Sequence, residues 1–579
     1  MVGRKKLIII GGVAGGATAA ARARRLDEHA EIIVFERGEY ISFANCGLPY
    51  YIGQVIKDRD DLLVTTGDAF SQRYKIDVRN FSEVIAIDRL KKVVRVKALK
   101  TGNTYEETYD KIILSPGAEP IRPPLEGIEL DNIFNLRNIP DSDRIKDHLD
   151  RNKPESGVIV GGGFIGLEMA ENLVRRGVKT TIIEMLDQVM APLDFEMAAL
   201  VQAHLKEKGV RCVLGNGVAS FSKNGGRIRV TTNDGKSYDG DLVILSIGIK
   251  PENRLAREAG LDIGERGGIR VDEYMRTSDP DIYAIGDAVE VKDFITGRPT
   301  MTALAGPANK QGRIAADNAL GRKSLFRGTL GTAVVKVFEL TVASTGASEK
   351  LLEGNNIPHM VSYTHSGSHA SYYPGAENMS IKLIFSPGNG EILGAQIVGK
   401  GGVDKRIDII ATAIRGSMTV FDLEELELAY APPYSSAKDP VNIAGFVAAN
   451  ILKGDMDLIQ WRELAELDRE TDILIDLRNK KELETVGEMQ GARHIPLDEL
   501  RSHLAELDKE KHYIPFCAAG LRAYLGHRIL VQNGFQSRNL SGGYITYLGG
   551  KEKIMEASLK SNPNLEKQEN RTEKGSHVP

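Results

Sequence analysis

The sequence predicts an α/β protein assembled from several strand-helix units. Three observations carry that expectation. Two glycine-rich loops, residues 11–16 and 161–166, each join a short apolar strand to a helix; a third strand-to-helix loop follows at 517–522; and 579 residues are too many for one hydrophobic core. At about 150 residues per domain, three or four domains are expected. A charged content of 27% with a net charge of -4 gives no dense Lys/Arg face to neutralise phosphates, so a nucleic-acid role is excluded. The basic start and Leu7–Ile10 are too short for a signal peptide, and no apolar run approaches the ~20 residues of a membrane span. Cys46, Cys212 and Cys517 lie too far apart for a secreted disulfide framework, so a cytoplasmic protein is expected.

The first unit runs from the strand Leu7–Ile10 through Gly11, Gly12, Val13, Ala14, Gly15 and Gly16 into a helix from Ala17 to Leu26. A strand Ile32–Phe35 follows, ending at Glu36 and Arg37. This is a βαβ dinucleotide unit, in which glycines permit a tight turn, the helix N-terminus faces the pyrophosphate and the acidic residue takes ribose hydroxyls. Val13 occupies the middle glycine position of the template. The second copy is complete: Gly157–Val160 leads into Gly161, Gly162, Gly163, Phe164, Ile165 and Gly166, then a helix through Arg176 and a strand Thr180–Ile183 ending at Glu184. A carboxylate there accepts the 2'-hydroxyl of NADH and repels the 2'-phosphate of NADPH, so NADH is the expected co-substrate.

Two dinucleotide units imply two nucleotides. The strand-to-turn crossings Ile112–Ala118, with Ser115, Pro116 and Gly117, and Leu245–Pro251, with Gly248, are related to each other. Thr277–Asp287 resembles the second FAD signature of the two-dinucleotide flavoprotein reductases. In that family the closing aspartate, here Asp287 after Gly286, hydrogen-bonds the flavin ribityl chain. The resemblance thus implies FAD in the first unit.

Between these signatures lies Ser42-Phe43-Ala44-Asn45-Cys46-Gly47-Leu48-Pro49-Tyr50-Tyr51. The commonest flavin disulfide reductases carry a second cysteine five positions after the first, where this chain has Tyr51. A lone thiol must pair with something brought in: a bound thiol, oxygen as a sulfenic acid, or sulfur as a persulfide. Cys212, in an apolar strand, reads as core packing. Together with Ala429-Tyr430-Ala431-Pro432-Pro433-Tyr434-Ser435, the Cys46 stretch resembles the coenzyme A disulfide reductases over residues 4 to 450. The resemblance implies a resting mixed disulfide between Cys46 and coenzyme A, with Asn45 among the cofactor contacts. It also implies an α/β interface domain that forms a homodimer and sends Tyr372 and Tyr430 into the partner's active site, where a phenol can protonate a departing thiolate. Basic residues near the first helix, Arg24 or Arg25, and Lys75 would meet the phosphates of coenzyme A.

Beyond Gly454 the composition changes. Asp472–Arg478, Gly491–Pro496 and the strand Tyr513–Phe516 lead to the loop Cys517-Ala518-Ala519-Gly520-Leu521-Arg522, which opens a helix. Successive backbone N–H groups and the helix dipole there can stabilise a thiolate or persulfide. This region, including Asp476 with Arg478 and Leu540–Tyr544, resembles the rhodanese domain. The expected division is an FAD domain at 1–115 and 251–325, an NADH domain at 116–250, an interface domain at 326–449, a linker at 450–466, a rhodanese domain at 467–555 and a disordered tail at 556–579. No metal is expected. The combination implies an NADH-dependent reductase of coenzyme A persulfide, polysulfide or coenzyme A disulfide acting through Cys46, with Cys517 carrying sulfane sulfur. The alternatives are an NADH oxidase or peroxidase with a sulfenic acid, a pure coenzyme A disulfide reductase in which Cys517 is dispensable, and a redox sensor.

Overall fold

The computed structural model describes residues 4–561. The chain forms two compact units. One holds the chain up to Ala191 together with Leu205–Ala333, and the other holds Pro192–His204 together with the chain from Val334 onward.

The first unit contains two five-stranded parallel sheets on one plan. In the first sheet Lys6–Ile10 lies between Glu31–Phe35 and Lys111–Leu114, with Asp77–Arg79 and Ile282–Ala284 at the edges. In the second, Ser156–Val160 lies between Lys179–Ile183 and Leu242–Leu245, with Arg211–Val213 and Ile133–Asn135 at the edges. The central strands are almost wholly apolar because both faces of a parallel sheet are covered; Leu7, Ile8, Ile9, Val158 and Ile159 are all buried. Each central strand feeds a helix, Ala14–Leu26 or Phe164–Arg175. Both glycine loops therefore sit at the carboxyl ends of the strands, where open α/β sheets bind ligands. The two crossings pair antiparallel with one another, Ala118–Pro120 against Ile249–Pro251.

The second unit opens with a five-stranded antiparallel sheet in the order Ala333–Val337, Leu340–Gly346, Ile392–Gly399, Asn378–Phe385, Met360–Gly367. Helices Val403–Arg415 and Pro440–Leu452 pack on it. A four-stranded parallel sheet follows, in the order Arg493–His494, Asp472–Asp476, His512–Phe516, Gln536–Ser537.

Three boundaries differ from expectation. Residues 192–204 group with the second unit rather than with the NADH half, because Asp194 and Glu196 pair with the fully buried Lys382 at 2.8 and 2.7 Å. A buried ammonium is stable only with such counter-charges. The expected linker is partly an edge of the last domain: Leu458–Ile459 pairs with Asn539–Leu540, and Ile459, Trp461 and Leu464 are buried. The helix Gly543–Ser561 continues through 556–561, where a disordered tail was expected; the rest of that tail lies outside the described residues. Among the described residues no helix is long and apolar enough to cross a membrane.

Candidate functional site

The two glycine loops repeat the same local chemistry. Gly11 and Gly161 take φ of +98° and +107°, and a Cβ on Gly16 or Gly166 would overlap the carbonyl oxygen of Gly11 or Gly161. Only glycine allows those close approaches. Glu36 accepts from the N–H groups of Gly12 and Gly38 at 2.9 and 2.7 Å. Glu184 likewise accepts from Gly162 and Leu186 at 2.6 and 2.9 Å. Both carboxylates are thus held beside their loops. Neither helix carries an acidic residue in its first turn, which leaves both N-termini open to a pyrophosphate. Ala14 and Gly15 start the first helix, and Phe164 and Ile165 start the second. A Cβ on Gly163 would meet nothing within 4 Å, as a cradle for a ligand requires.

The crossings complete this cradle. The Ser115 N–H donates to Ile10 at 2.7 Å, Pro116 follows, and Gly117 and Gly248 take positive φ at the two turns. The Gly286 N–H donates to Gln311 Oε1 at 2.7 Å and begins a short turn bearing Asp287. Burial pushes the Asp287 carboxyl up, opposed by Arg137. Arg37 is held by Glu119 and Glu252 at 3.2 and 3.7 Å. The donor set fits FAD at the first of these two sheets and a pyridine nucleotide at the second.

Cys46 lies on a 3-10 turn, Asn45–Gly47, and is exposed. Tyr51, where a second thiol would stand, is buried. Burial of the sulfur and the carboxylates of Glu168 and Asp287 push the Cys46 thiol up. Glu168 is a site residue that no sequence motif marks. Its Oε1 accepts from the Tyr50 hydroxyl at 3.3 Å, and burial pushes its carboxyl up to about 7, with Glu171 adding to the rise. An acidic residue just inside an otherwise apolar helix start was the one available signal. Burial pushes the Cys212 thiol up to about 11, in keeping with a packing role.

Arg24 is corrected. Its guanidinium is buried and donates to the carbonyls of Asp27, Glu28, Tyr74 and Lys75 at 2.7–3.0 Å, so it clasps two loops and spends four of its five N–H donors on them rather than on a phosphate. Arg25 and Lys75 remain exposed.

In the second unit Tyr372 and Tyr430, 58 residues apart, meet through their hydroxyls at 2.7 Å. Both are exposed, Tyr372 at 73% and Tyr430 at 46%. A buried ion pair explains the meeting. Arg406 Nη2 reaches Asp439 Oδ2 at 2.9 Å, the Ser368 carbonyl at 2.9 Å and Ser435 Oγ at 3.1 Å, so it ties together the loops that carry the two tyrosines.

Cys517 ends the strand His512–Phe516 and is 2% exposed. The Gly520 N–H donates to its Sγ at 3.1 Å, immediately before the helix Leu521–Gln532. Arg522 makes a two-pronged pair with Glu482 at 2.7 and 2.6 Å, which holds the Glu482 carboxyl down at about 2. Beneath the loop the buried Arg478 pairs with Asp476 at 2.6 Å and lies 3.9 Å over the Tyr544 ring.

Comparison with known proteins agrees with this geometry. Residues 5–312 match the pyridine nucleotide-disulphide oxidoreductase family, 332–440 its dimerisation domain and 461–548 the rhodanese-like domain. A coenzyme A disulfide reductase of Staphylococcus haemolyticus is 37% identical over 448 residues, 77% of this chain and all of the relative. The crystal structure of reduced Bacillus anthracis CoADR-RHD has a TM-score of 0.92 at 50% identity, covering 96% of this chain and 99% of that one. A NAD-dependent persulfide reductase from A. fulgidus has a TM-score of 0.88 at 39% identity, covering 94% and 100%. These matches make the chain an enzyme of the pyridine nucleotide-disulphide oxidoreductase family fused to a rhodanese domain.

Proposed function

We propose that this enzyme uses NADH to reduce the sulfur–sulfur bond of coenzyme A persulfide, polysulfide or coenzyme A disulfide at Cys46, with Cys517 supplying sulfane sulfur. The observation that carries the reading is the lone, exposed Cys46 with buried Tyr51 in place of a second thiol. Its partner sulfur must come from a substrate. The names of the similar proteins, coenzyme A disulfide reductase and persulfide reductase, support the same class.

FAD, when bound, relays two electrons from NADH to sulfur. The Cys46 thiolate attacks the substrate's sulfur–sulfur bond, forms a mixed disulfide and releases a thiolate or hydrosulfide. Two-electron reduction of that mixed disulfide restores the thiolate. For the persulfide the balance is NADH, a proton and coenzyme A persulfide giving NAD⁺, coenzyme A and hydrogen sulfide. Tyr372 and Tyr430 act on the Cys46 of a second copy in the homodimer, and their shared proton serves the departing thiolate. Arg25 and Lys75 hold the phosphates of coenzyme A. Cys517 takes sulfane sulfur from a donor and passes it to the thiol of bound coenzyme A, whose pantetheine arm carries it toward Cys46. The unpaired cysteines suit a cytoplasmic setting. Glu184 selects NADH, and a higher kcat/KM with NADPH would refute that assignment.

The test is anaerobic NADH consumption by the flavoprotein with coenzyme A persulfide, coenzyme A disulfide or hydrogen peroxide. Preference for the persulfide with sulfide release, abolished in Cys46→Ser, is expected. Preference for peroxide without any thiol would move the enzyme to the oxidase class.

A further inference from the structure

The Cys517 loop is held from behind by the helix that closes the last domain. The N–H groups of Tyr544 and Ile545, in the first turn of Gly543–Ser561, donate to the carbonyls of Cys517 and Ala518 at 2.8 and 3.1 Å. Gly542 precedes that turn and Gly543 opens it, with φ of +68° and +60°. A Cβ on Gly543 would overlap the Cys517 carbonyl oxygen. The position of this one helical turn therefore sets the backbone that carries the nucleophile.

That same turn is pinned from outside its own domain. Thr546, one residue further on and buried, has its Oγ1 3.0 Å from Nε2 of His365. His365 lies on Met360–Gly367 of the antiparallel sheet, cross-strand from Ser380, whose Oγ is 2.8 Å from Nδ1. The approach is tight, since a Cβ on Gly542 would come within 2.7 Å of Tyr363 Cβ. Burial pushes the His365 imidazole down to about 4, opposed by the backbone of Gly542, so at neutral pH the ring shares one N–H and one lone pair among the two hydroxyls and that backbone. A hydrophobic residue would fill the space, but only a group able to donate and accept preserves both links. His365 is a histidine that nothing in the reductase chemistry uses.

We propose that His365 is a positioning residue for sulfur transfer at Cys517. The antiparallel sheet, through His365 and Thr546, fixes the first turn of the closing helix, and that turn fixes the Cys517 loop and its Gly520 donor. The inference rests on Cys517 acting as a sulfur carrier. The reaction used to read it is balanced by two simple reagents. The Cys517 thiolate takes the outer sulfur of thiosulfate with release of sulfite, and the resulting persulfide passes that sulfur to cyanide, giving thiocyanate and the thiolate again. Loss of one link in the chain is expected to lower turnover roughly tenfold, about what one lost hydrogen bond is worth.

The experiment uses the full-length flavoprotein in a Cys46→Ser background, with His365→Leu, His365→Gln, Thr546→Val and the double variant His365→Leu/Thr546→Val. Two quantities are read: thiosulfate-to-cyanide turnover, and Cys517 alkylation by iodoacetamide across pH. The charged groups beside Cys517, Arg522 with Glu482 and Arg478 with Asp476, are the same in every variant. In His365→Leu and Thr546→Val, turnover falls and the alkylation profile moves to higher pH, because the sulfur anion loses an aligned N–H donor. His365→Gln restores most of both, and the double variant is no worse than either single one, as expected for one chain of contacts. A wild-type alkylation profile in His365→Leu and in Thr546→Val would overturn the proposal, as would failure of His365→Gln to restore it. Should His365→Leu not fold, Thr546→Val and His365→Gln decide the matter alone. Absence of thiosulfate turnover in the parent would instead refute the sulfur-carrier reading, and the alkylation profiles would still test the link.

Discussion

Cys46 and Cys517 place the same atom in opposite surroundings. Cys46 is exposed on a short turn, and desolvation of its sulfur, with the carboxylates of Glu168 and Asp287 adding to it, pushes its thiol up. Cys517 is almost fully buried at a strand end and receives a backbone N–H on its sulfur. The first site disfavours its own thiolate, so its reactive form depends on what binds beside it. The second has a backbone N–H on its sulfur and Arg522 beside it.

The sharpest way to break the comparison is to remove each sulfur in turn. Cys46→Ser is expected to bring NADH-dependent persulfide reduction to background while leaving thiosulfate-to-cyanide turnover at the wild-type level, and Cys517→Ser to do the reverse. Loss of both activities in either variant would show that the two sites are not separate.

The tyrosine pair belongs, on this reading, to Cys46 chemistry. Asp439→Ala leaves Arg406 buried without its counter-charge, and a loss of about 3–5 kcal/mol in urea unfolding is expected. The hydrogen bond to Arg406 holds the Asp439 carboxyl below its ordinary value, against the rise that burial causes. Its contribution to stability is therefore present above the unfolded carboxylate range and is lost as pH falls through the folded value. The milder Asp439→Asn variant should flatten that acid limb in a urea series run at several pH values.

Smaller effects separate the two sulfurs electrostatically. Glu168→Gln removes a negative charge near Cys46, so iodoacetamide alkylation of Cys46 should shift to lower pH while that of Cys517 stays put. An unchanged Cys46 profile would mean that Glu168 does not govern this thiol. The least change is expected from Glu482→Gln, which releases Arg522 toward Cys517. A modest rise in Cys517 alkylation rate at fixed pH is the expected result, and a fall would remove Arg522 from the site.

The glycine loops, Glu36, Glu184 and the Cys517 loop were legible in the sequence because their constraints are local. A left-handed turn or a strand-end carboxylate is written within a few residues. Arg24 was misread for the converse reason. Its charge suggested a phosphate, but the carbonyls of Tyr74 and Lys75 that consume it arrive from 50 residues away. The linker was misread because a two-residue strand leaves no periodicity, and its partner lies at Asn539–Leu540. Glu168 went unseen because its effect depends on Tyr50 packing against a helix of the other sheet.

Lys382 sits among three carboxylates, Asp194, Glu196 and Glu349, and so leaves acid in excess. Arg462, from the start of the last domain, pairs with Glu349 and, at 3.0 Å, with Glu353. The sheet thus carries an electrical debt that its neighbour settles. A chain of this family without the last domain lacks Arg462, and a neutral or shorter residue is expected there at the place of Glu349 or Glu353.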